Sequence, residues 1–456
     1  MNITPRQLSK INVGLSQFLT REIAQKQEQA ETKEQEHLDD EESKTTSVST
    51  SSKTTSSLKT STHSKSIKSK SIKTIKRMEG VDEASMHGHL GAGQNWQAPI
   101  IAHESNKIAR PGYQSFKAHE YQDDALTLRK KIKVLASLLK SSKHCVAYTG
   151  AGISTASGIN DYASKGKTSM ATGNGAAAYR PKNKKGLNAE PTFAHYTLAA
   201  LERENILQSW IQQNHDGLPQ KAKFPQSKIN EIHGGWFDPS NPVVPMDGTL
   251  RDDLHYQMIQ DEERADLVLT MGTSLCGMNA DSMVSTASQK FCTEGIGLGS
   301  VIIGFQRTPL DLMCSLRIFG RIDEVMCLLA LEMKLQLDIT PYAFTGSTSK
   351  NHVYQMPYDT NGQKLEEEDA PKMRLNLQRG AKLRLTAGPG KGYVGTVART
   401  PNMNGGKTEY AYTVNFPCTR ENSKAQGKKM STYALGGWMI EAAARGELHL
   451  LPVVNA

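Results

Sequence analysis

Cysteine is scarce in this chain. Six cysteines, at positions 145, 276, 292, 314, 327 and 418, serve 456 residues, and no two of them form a CxxC pair. A disulfide framework is not expected, and a reducing compartment is. Long apolar runs are also missing. No stretch approaches the ~20 residues that cross a bilayer, so no membrane partner is expected. The N-terminus lacks the apolar core of a secretory signal, and its early acids argue against a transit peptide. Hydrophobic residues make up only 37% of the chain. That is low for one compact body, so a long polar region must dilute one or more ordinary cores. Acid is absent from one whole stretch. Ser43 to Arg77 carries lysines and one arginine but no carboxylate, after a mostly acidic segment from Glu22 to Glu42. Such a basic run binds acidic partners such as nucleic acid, or serves as a nuclear address; the plainer reading is a solvated tail. The expected location is nuclear or cytoplasmic.

The hydrophobic pattern divides the rest. Residues 1–80 read as a disordered low-complexity tail and 81–120 as an irregular lead-in. Asp123 and Asp124 open an apolar-periodic helix through Leu128, Ile132, Leu135, Leu138 and Leu139. A buried-strand pattern follows at Cys145–Tyr148, another at Ala265–Met271, and a third from Ser300 to Phe305. Helices are expected from Thr192 to Glu202 and from Ile322 to Leu337. Strands alternating with helices over 121–338 predict an α/β fold, a doubly wound parallel sheet. Residues 339–375 read as a linker. From 376 to 456 the period changes to short segments broken by Gly and Pro, which predicts a small all-β barrel.

Four strings carry chemistry. The first, Gly150-Ala151-Gly152-Ile153-Ser154 on to Gly158-Ile159-Asn160-Asp161-Tyr162, follows a strand and is expected to open a helix. Glycines there let the backbone approach a pyrophosphate, and Ser154 can donate to it. The second is Gln213-Asn214-His215-Asp216-Gly217. Its amide and carboxylate side chains can read a carboxamide and sugar hydroxyls together. The third, Glu231-Ile232-His233-Gly234, supplies an imidazole whose ordinary pKa near ~6.5 suits proton removal. The fourth, Leu269-Thr270-Met271-Gly272-Thr273-Ser274, ends a strand in small hydroxyl residues. Taken singly, each also fits a tight turn, an Asx-turn or a structural histidine.

Taken in order, these strings resemble the sirtuin family, over about residues 123–335. They are similar to its GAGIS-x-x-SGI-P-DFR, TQNIDGLH, LHG and ADLxLxxGTSL motifs. The resemblance implies a Rossmann-like fold with a reduced small domain, NAD as cofactor, and an acylated protein or peptide as partner. It implies an NAD-dependent protein-lysine deacylase that releases nicotinamide and O-acyl-ADP-ribose. His233 and Asn214 are the implied catalytic residues. Gly150, Ala151, Gly152, Ser154, Asp161, Tyr162, Gln213, Asp216, Gly272, Thr273, Ser274 and Gly304 are the implied cofactor contacts. Departures matter too. Ala163 replaces the motif's Arg, and Gly304 stands where the family has Asn. Most members carry two CxxC pairs after the HG motif, but no cysteine lies between His233 and Asp266, so no metal is expected. The acyl-lysine-binding FGE is missing after Leu250-Arg251. These losses keep two alternatives in view: an ADP-ribosyltransferase or NAD hydrolase, and a catalytically weak NAD-binding scaffold. In the C-terminal region, Gly388-Pro389-Gly390-Lys391-Gly392-Tyr393 resembles the KOW turn of SH3-like barrels. Lys391, Tyr393, Tyr410, Tyr412 and Trp438 there, or the basic tail, are candidate nucleic-acid contacts; the aromatics equally suit a core.

Overall fold

The computed structural model describes residues 86–161, 163–165, 169–171, 188–245, 248–340, 342–344, 351–366, 371–401, 410–417 and 430–456. The expected tail and Tyr162 lie outside the described residues. Two short strands, β1 (Ile100–His103) and β2 (Glu120–Gln122), pair antiparallel ahead of the first long helix, α1 (Ala125–Ser141). Asp124 caps α1, accepting from the amides of Leu126 and Thr127 at 3.0 and 3.1 Å. This satisfies two of the donors a helix start leaves unpaired. Asp123 turns inward instead and pairs at 2.7 Å with Lys131, both wholly buried.

Six parallel strands follow: β3 (Cys145–Thr149), β4 (Leu207–Gln212), β5 (Ile229–Glu231), β6 (Leu267–Met271), β7 (Gly299–Ile303) and β8 (Leu316–Ile318). Their order in the sheet is β5-β4-β3-β6-β7-β8. Counted from β3, that is the doubly wound order 3-2-1-4-5-6. Period-two geometry sends alternate side chains to opposite faces. Cys145, Ala147, Leu267, Leu269, Val301 and Ile303 join one core, with Leu128, Leu135 and Leu139 of α1. Val146, Tyr148, Val268 and Ile302 join the other. Both faces are covered, which is why these strands read as continuous apolar runs. The first core also takes α2 (Phe193–Arg203) and α6 (Ile322–Met333); the second takes α4 (Asp252–Arg264) and α5 (Ser282–Gln289). A one-turn helix, α3 (Leu218–Lys221), follows β4.

The segment after β3 departs from expectation. Ala151–Ser157 forms tight 3-10 turns, not the start of an α-helix, and Gly158 ends it at φ +88°. β-branched Ile153 and Thr155 weaken helix continuation there, and the close approach described below constrains the backbone. Helix α6 stops at Met333 because Lys334 takes a left-handed conformation, short of the expected Leu337.

The C-terminal region is antiparallel. Strands β9 (Val353–Met356) and β10 (Met373–Asn376) pair with each other, inside the stretch expected as a linker. Tyr354, Met356 and Tyr358 are fully buried there. The alternation of these few residues is too short to stand out against the surrounding polar sequence. Five further strands, β11 (Lys382–Leu385), β12 (Val394–Arg399), β13 (Ala411–Pro417), β14 (Met430–Gly436) and β15 (Val453–Asn455), form one sheet in the order β14-β13-β12-β11-β15. Helix α7 (Gly437–Ala444) lies between β14 and β15. Among the described residues no ladder joins β14 to β15, so the expected barrel is here an open five-stranded sheet. Tyr412 is 0% and Trp438 6% exposed. Both are core, which removes them as stacking surfaces for nucleic acid.

Candidate functional site

In a doubly wound sheet the crevice opens where strand order reverses, here between β3 and β6. The glycines at this point are dictated by contact. The Gly152 amide donates to the Gly272 carbonyl at 2.8 Å, and that of Gly150 to Met271 at 3.0 Å. A β-carbon on Gly152 would fall 2.6 Å from Gly272 Cα, and one on Gly150 would fall 2.9 Å from Gly272 O. Gly272 itself sits at φ +65°. Two backbone turns therefore interlock, with their own amides bonded to carbonyls and no side chain of these glycines at the crevice floor.

A cavity of about 740 Å³ opens above them, within the range of small-molecule sites. Ala151, Gly152, Asp161 and Gln213 line it, as do Asn214, His233, Gly272, Thr273, Ser274 and Gly304. Gly150, Ser154 and Asp216 lie outside this lining, with Ser154 and Asp216 wholly buried. Their bonds reach the lining residues. Asn214 Nδ2 donates to Ser154 Oγ at 3.0 Å, and Ser154 Oγ donates to Asp216 Oδ2 at 2.7 Å. Asn214 Nδ2 also donates to Gly150 O, and Leu218 N–H to Asp216 Oδ1. Burial raises the Asp216 carboxyl, against the bonds from Leu218 and Ser154 that favour its anion. Gln213 Nε2 donates to Thr273 Oγ1 at 3.0 Å, tying the ends of β4 and β6 together.

His233 is half-buried, and burial with the nearby His215 pushes it down to about 4. It is thus a neutral imidazole at neutral pH. His215 lines the same cavity, and its Nδ1 donates to the Gly234 carbonyl at 2.7 Å. A carbonyl can only accept, so this bond places a proton on Nδ1. Asp161 holds its own loop, accepting from Ser164 N–H and Oγ at 2.9 and 2.8 Å.

Other lining residues lie in no motif. Arg110 and Glu120 come from the lead-in, and Arg321 from the start of α6. Glu120 is fully buried and accepts from Ser169 Oγ and Met170 N–H at 2.6 Å each. Where Ala163 offers no charge, Arg110 and Arg321 bring two guanidinium groups to the wall. Arg321 also donates to Met170 O at 3.1 Å. A β-carbon on Gly304 would meet nothing within 4 Å, so the side chain absent there leaves open space. Arg110 and Glu120 carried no signal in the sequence.

Relatives decide the family. Over 222 residues the chain is 30% identical to the NAD-dependent protein deacetylase of Saccharolobus solfataricus, covering 39% of this chain and 87% of that protein. It belongs to the sirtuin family. The NAD-dependent protein deacetylase SRT1 of Arabidopsis thaliana is 31% identical over 49% of this chain and 53% of its own length. Mouse NAD-dependent protein deacetylase sirtuin-7 is 28% identical over 49% and 64%. The chain thus spans about half to under two thirds of these last two. No protein-family model matches it. Among solved structures, a Sir2 homologue–NAD complex is similar at 24% identity, covering 44% of this chain and 94% of that one, with a TM-score of 0.36.

Among the described residues no group of three His, Cys, Asp or Glu could hold a metal. His233 to Pro245 runs as turns without strand or helix.

Proposed function

We propose that this chain is an NAD-dependent protein-lysine deacylase. The carrying observation is the Asn214–Ser154–Asp216 chain of hydrogen bonds beside interlocked glycines, with neutral His233 in the same cavity. The side-chain-free surface at Gly152 and Gly272 leaves room for a diphosphate, and Arg110 and Arg321 add positive charge. Thr273 and Ser274 offer hydroxyls to a ribose. NAD, when bound, supplies the ribose carbon that accepts the acyl group as nicotinamide leaves. Asn214 and Gln213 face the carboxamide end and exclude water, and Asp216, behind them, holds Asn214 in place through Ser154. His233, already neutral, takes the proton from the ribose hydroxyl; His215, its Nδ1–H bonded to the Gly234 carbonyl, shares that wall.

ADP-ribosyl transfer or NAD hydrolysis is the second reading. It is favoured by the start of helix α4 at Asp252, where the family places its acyl-lysine residues; Arg251 there pairs with Asp253 at 2.7 Å. Incubation with NAD, with and without acetylated peptide, separates these. Nicotinamide release that needs peptide supports deacylation; release without it supports the second reading. Binding without release leaves the scaffold.

An acylated peptide is the proposed partner. The basic run at Ser43–Arg77 supports a nuclear location and a nucleic-acid contact, testable with tail-deleted fusions. No helix among the described residues is long and apolar enough to cross a membrane.

A further inference from the structure

The turns bearing His233 are held by a few local bonds, such as Gly235 N–H to Asn241 O and Asn241 N–H to Asp238 O, and by no helix or strand, so outside contacts help to select one conformation. The C-terminal region supplies them. Gly436 N–H donates to the Phe237 carbonyl at 2.9 Å. The rings of Phe237 and Trp438 meet edge to face, centroids 4.8 Å apart. The buried Lys221 ammonium lies 5.0 Å from the Phe237 ring centre and 5.1 Å from that of Tyr410, a desolvated cation between one ring from each side. The Gly388 turn presses on Ser240 so closely that a β-carbon would lie 1.8 Å from its carbonyl oxygen.

These contacts continue inward. Trp236 N–H donates to His215 O at 2.8 Å, and Val244 N–H to His233 O at 3.0 Å. Asn241 Nδ2 donates to Glu231 O at 3.0 Å. Gly217, beside Asp216, has no room for a side chain because Phe237 and Trp438 stand 2.8 and 3.1 Å from its β-carbon position. A short run of contacts therefore joins the C-terminal region to both histidines.

We propose that Trp438, Tyr410 and Gly388 are positioning residues that brace the turns bearing His215 and His233, the C-terminal region doing here what a structural metal does in other small modules. The proposal rests on the base role of His233 given above. The loop then serves the proton-removal step, while nicotinamide departure depends on Gln213, Asn214 and Asp216.

The test uses the full chain with Trp438→Ala and Tyr410→Leu, and with Trp438→Phe as a milder variant should Trp438→Ala fail to fold. Three readouts are taken: removal of acetyl from a peptide, exchange of labelled nicotinamide into NAD, and the His233 titration by NMR. Acetyl removal is expected to fall roughly tenfold to hundredfold while exchange stays within about threefold, since misplacing one group penalises the step it serves. The His233 titration is expected to rise from about 4 toward ~6.5 as water reaches it. His215 is the imidazole facing it, and Asp216, Glu231 and Asp238 are the carboxyls around the loop; all stay unchanged. As a control, Tyr354→Phe removes the 2.6 Å bond between the Tyr354 and Tyr412 hydroxyls in the same core. It should lower the melting temperature without changing the ratio of the two reactions. Equal loss of both reactions with an unmoved His233 titration, or the same ratio change in the control, overturns the proposal. If the unaltered chain releases no nicotinamide, the functional reading falls, and the His233 titration alone still decides the brace.

Discussion

The two walls of the cavity are built on different principles. The wall at β3 and β6 is backbone against backbone: Gly150, Gly152 and Gly272 interlock, and adjacent strands hold them in register. The wall at His215 and His233 is irregular chain, held by contacts from the C-terminal region more than a hundred residues later in sequence. The first wall depends on the absence of side chains, so it tolerates no substitution. The second depends on contacts that can be loosened one at a time, so its failures should be graded and step-specific.

Gly152→Val tests the rigid wall and should have the largest effect. Its β-carbon would overlap Gly272 Cα at 2.6 Å. Overpacking of this kind costs ~1–3 kcal/mol in stability, and NAD binding by calorimetry should be lost, with every NAD-dependent product. Next comes His233→Ala. Deacetylation should fall by roughly 10²–10⁴, the range of a general base, while nicotinamide exchange persists. Loss of both equally would erase the difference between the walls.

A third expectation concerns pH. His233 must be neutral to take a proton, and its imidazole is held near about 4. The acidic limb of the deacetylation profile should therefore lie well below the ~6.5 of a free histidine. A limb at the ordinary value would mean that the loop is open to water in solution.

The smallest effect is expected at Glu231, the last residue of β5. Burial, with Asp238 adding to it, pushes its carboxyl from 4.5 up to about 8. The folded chain thus holds a proton that the unfolded chain releases. The stability this carboxyl contributes is full below about 4.5 and is lost as pH rises through about 8. Glu231→Gln keeps an oxygen to accept from Gln212 Nε2 and removes the titration. Its melting temperature should exceed the parent's at pH 9 and match it at pH 4. Parallel curves would show that Glu231 is hydrated.

Legibility followed the same division. β3, β6 and β7 were plain in sequence because burial on both faces leaves continuous apolar runs. The motif glycines stood out because close approach forbids any other residue. Arg110 and Glu120 did not, since nothing local distinguishes a cavity-lining lead-in from a surface one. Tyr412 and Trp438 were ambiguous: an aromatic in a short element suits a stacking face and a core equally. The pairing of β9 with β10 was hidden because four-residue strands leave almost no periodic signal.

The sequence by itself determined the parallel α/β domain, the order of its motifs and the loss of the metal-binding cysteines. These are local facts: periodicity within a strand, a glycine where a β-carbon cannot fit, a ligand type that is absent. Only the tertiary structure decided what packs against the turns that bear His233. Phe237 meets Trp438, and Ser240 meets Gly388, across separations that no local pattern encodes. Such contacts depend on the shape of two packed surfaces, and that shape exists only once both sheets have formed.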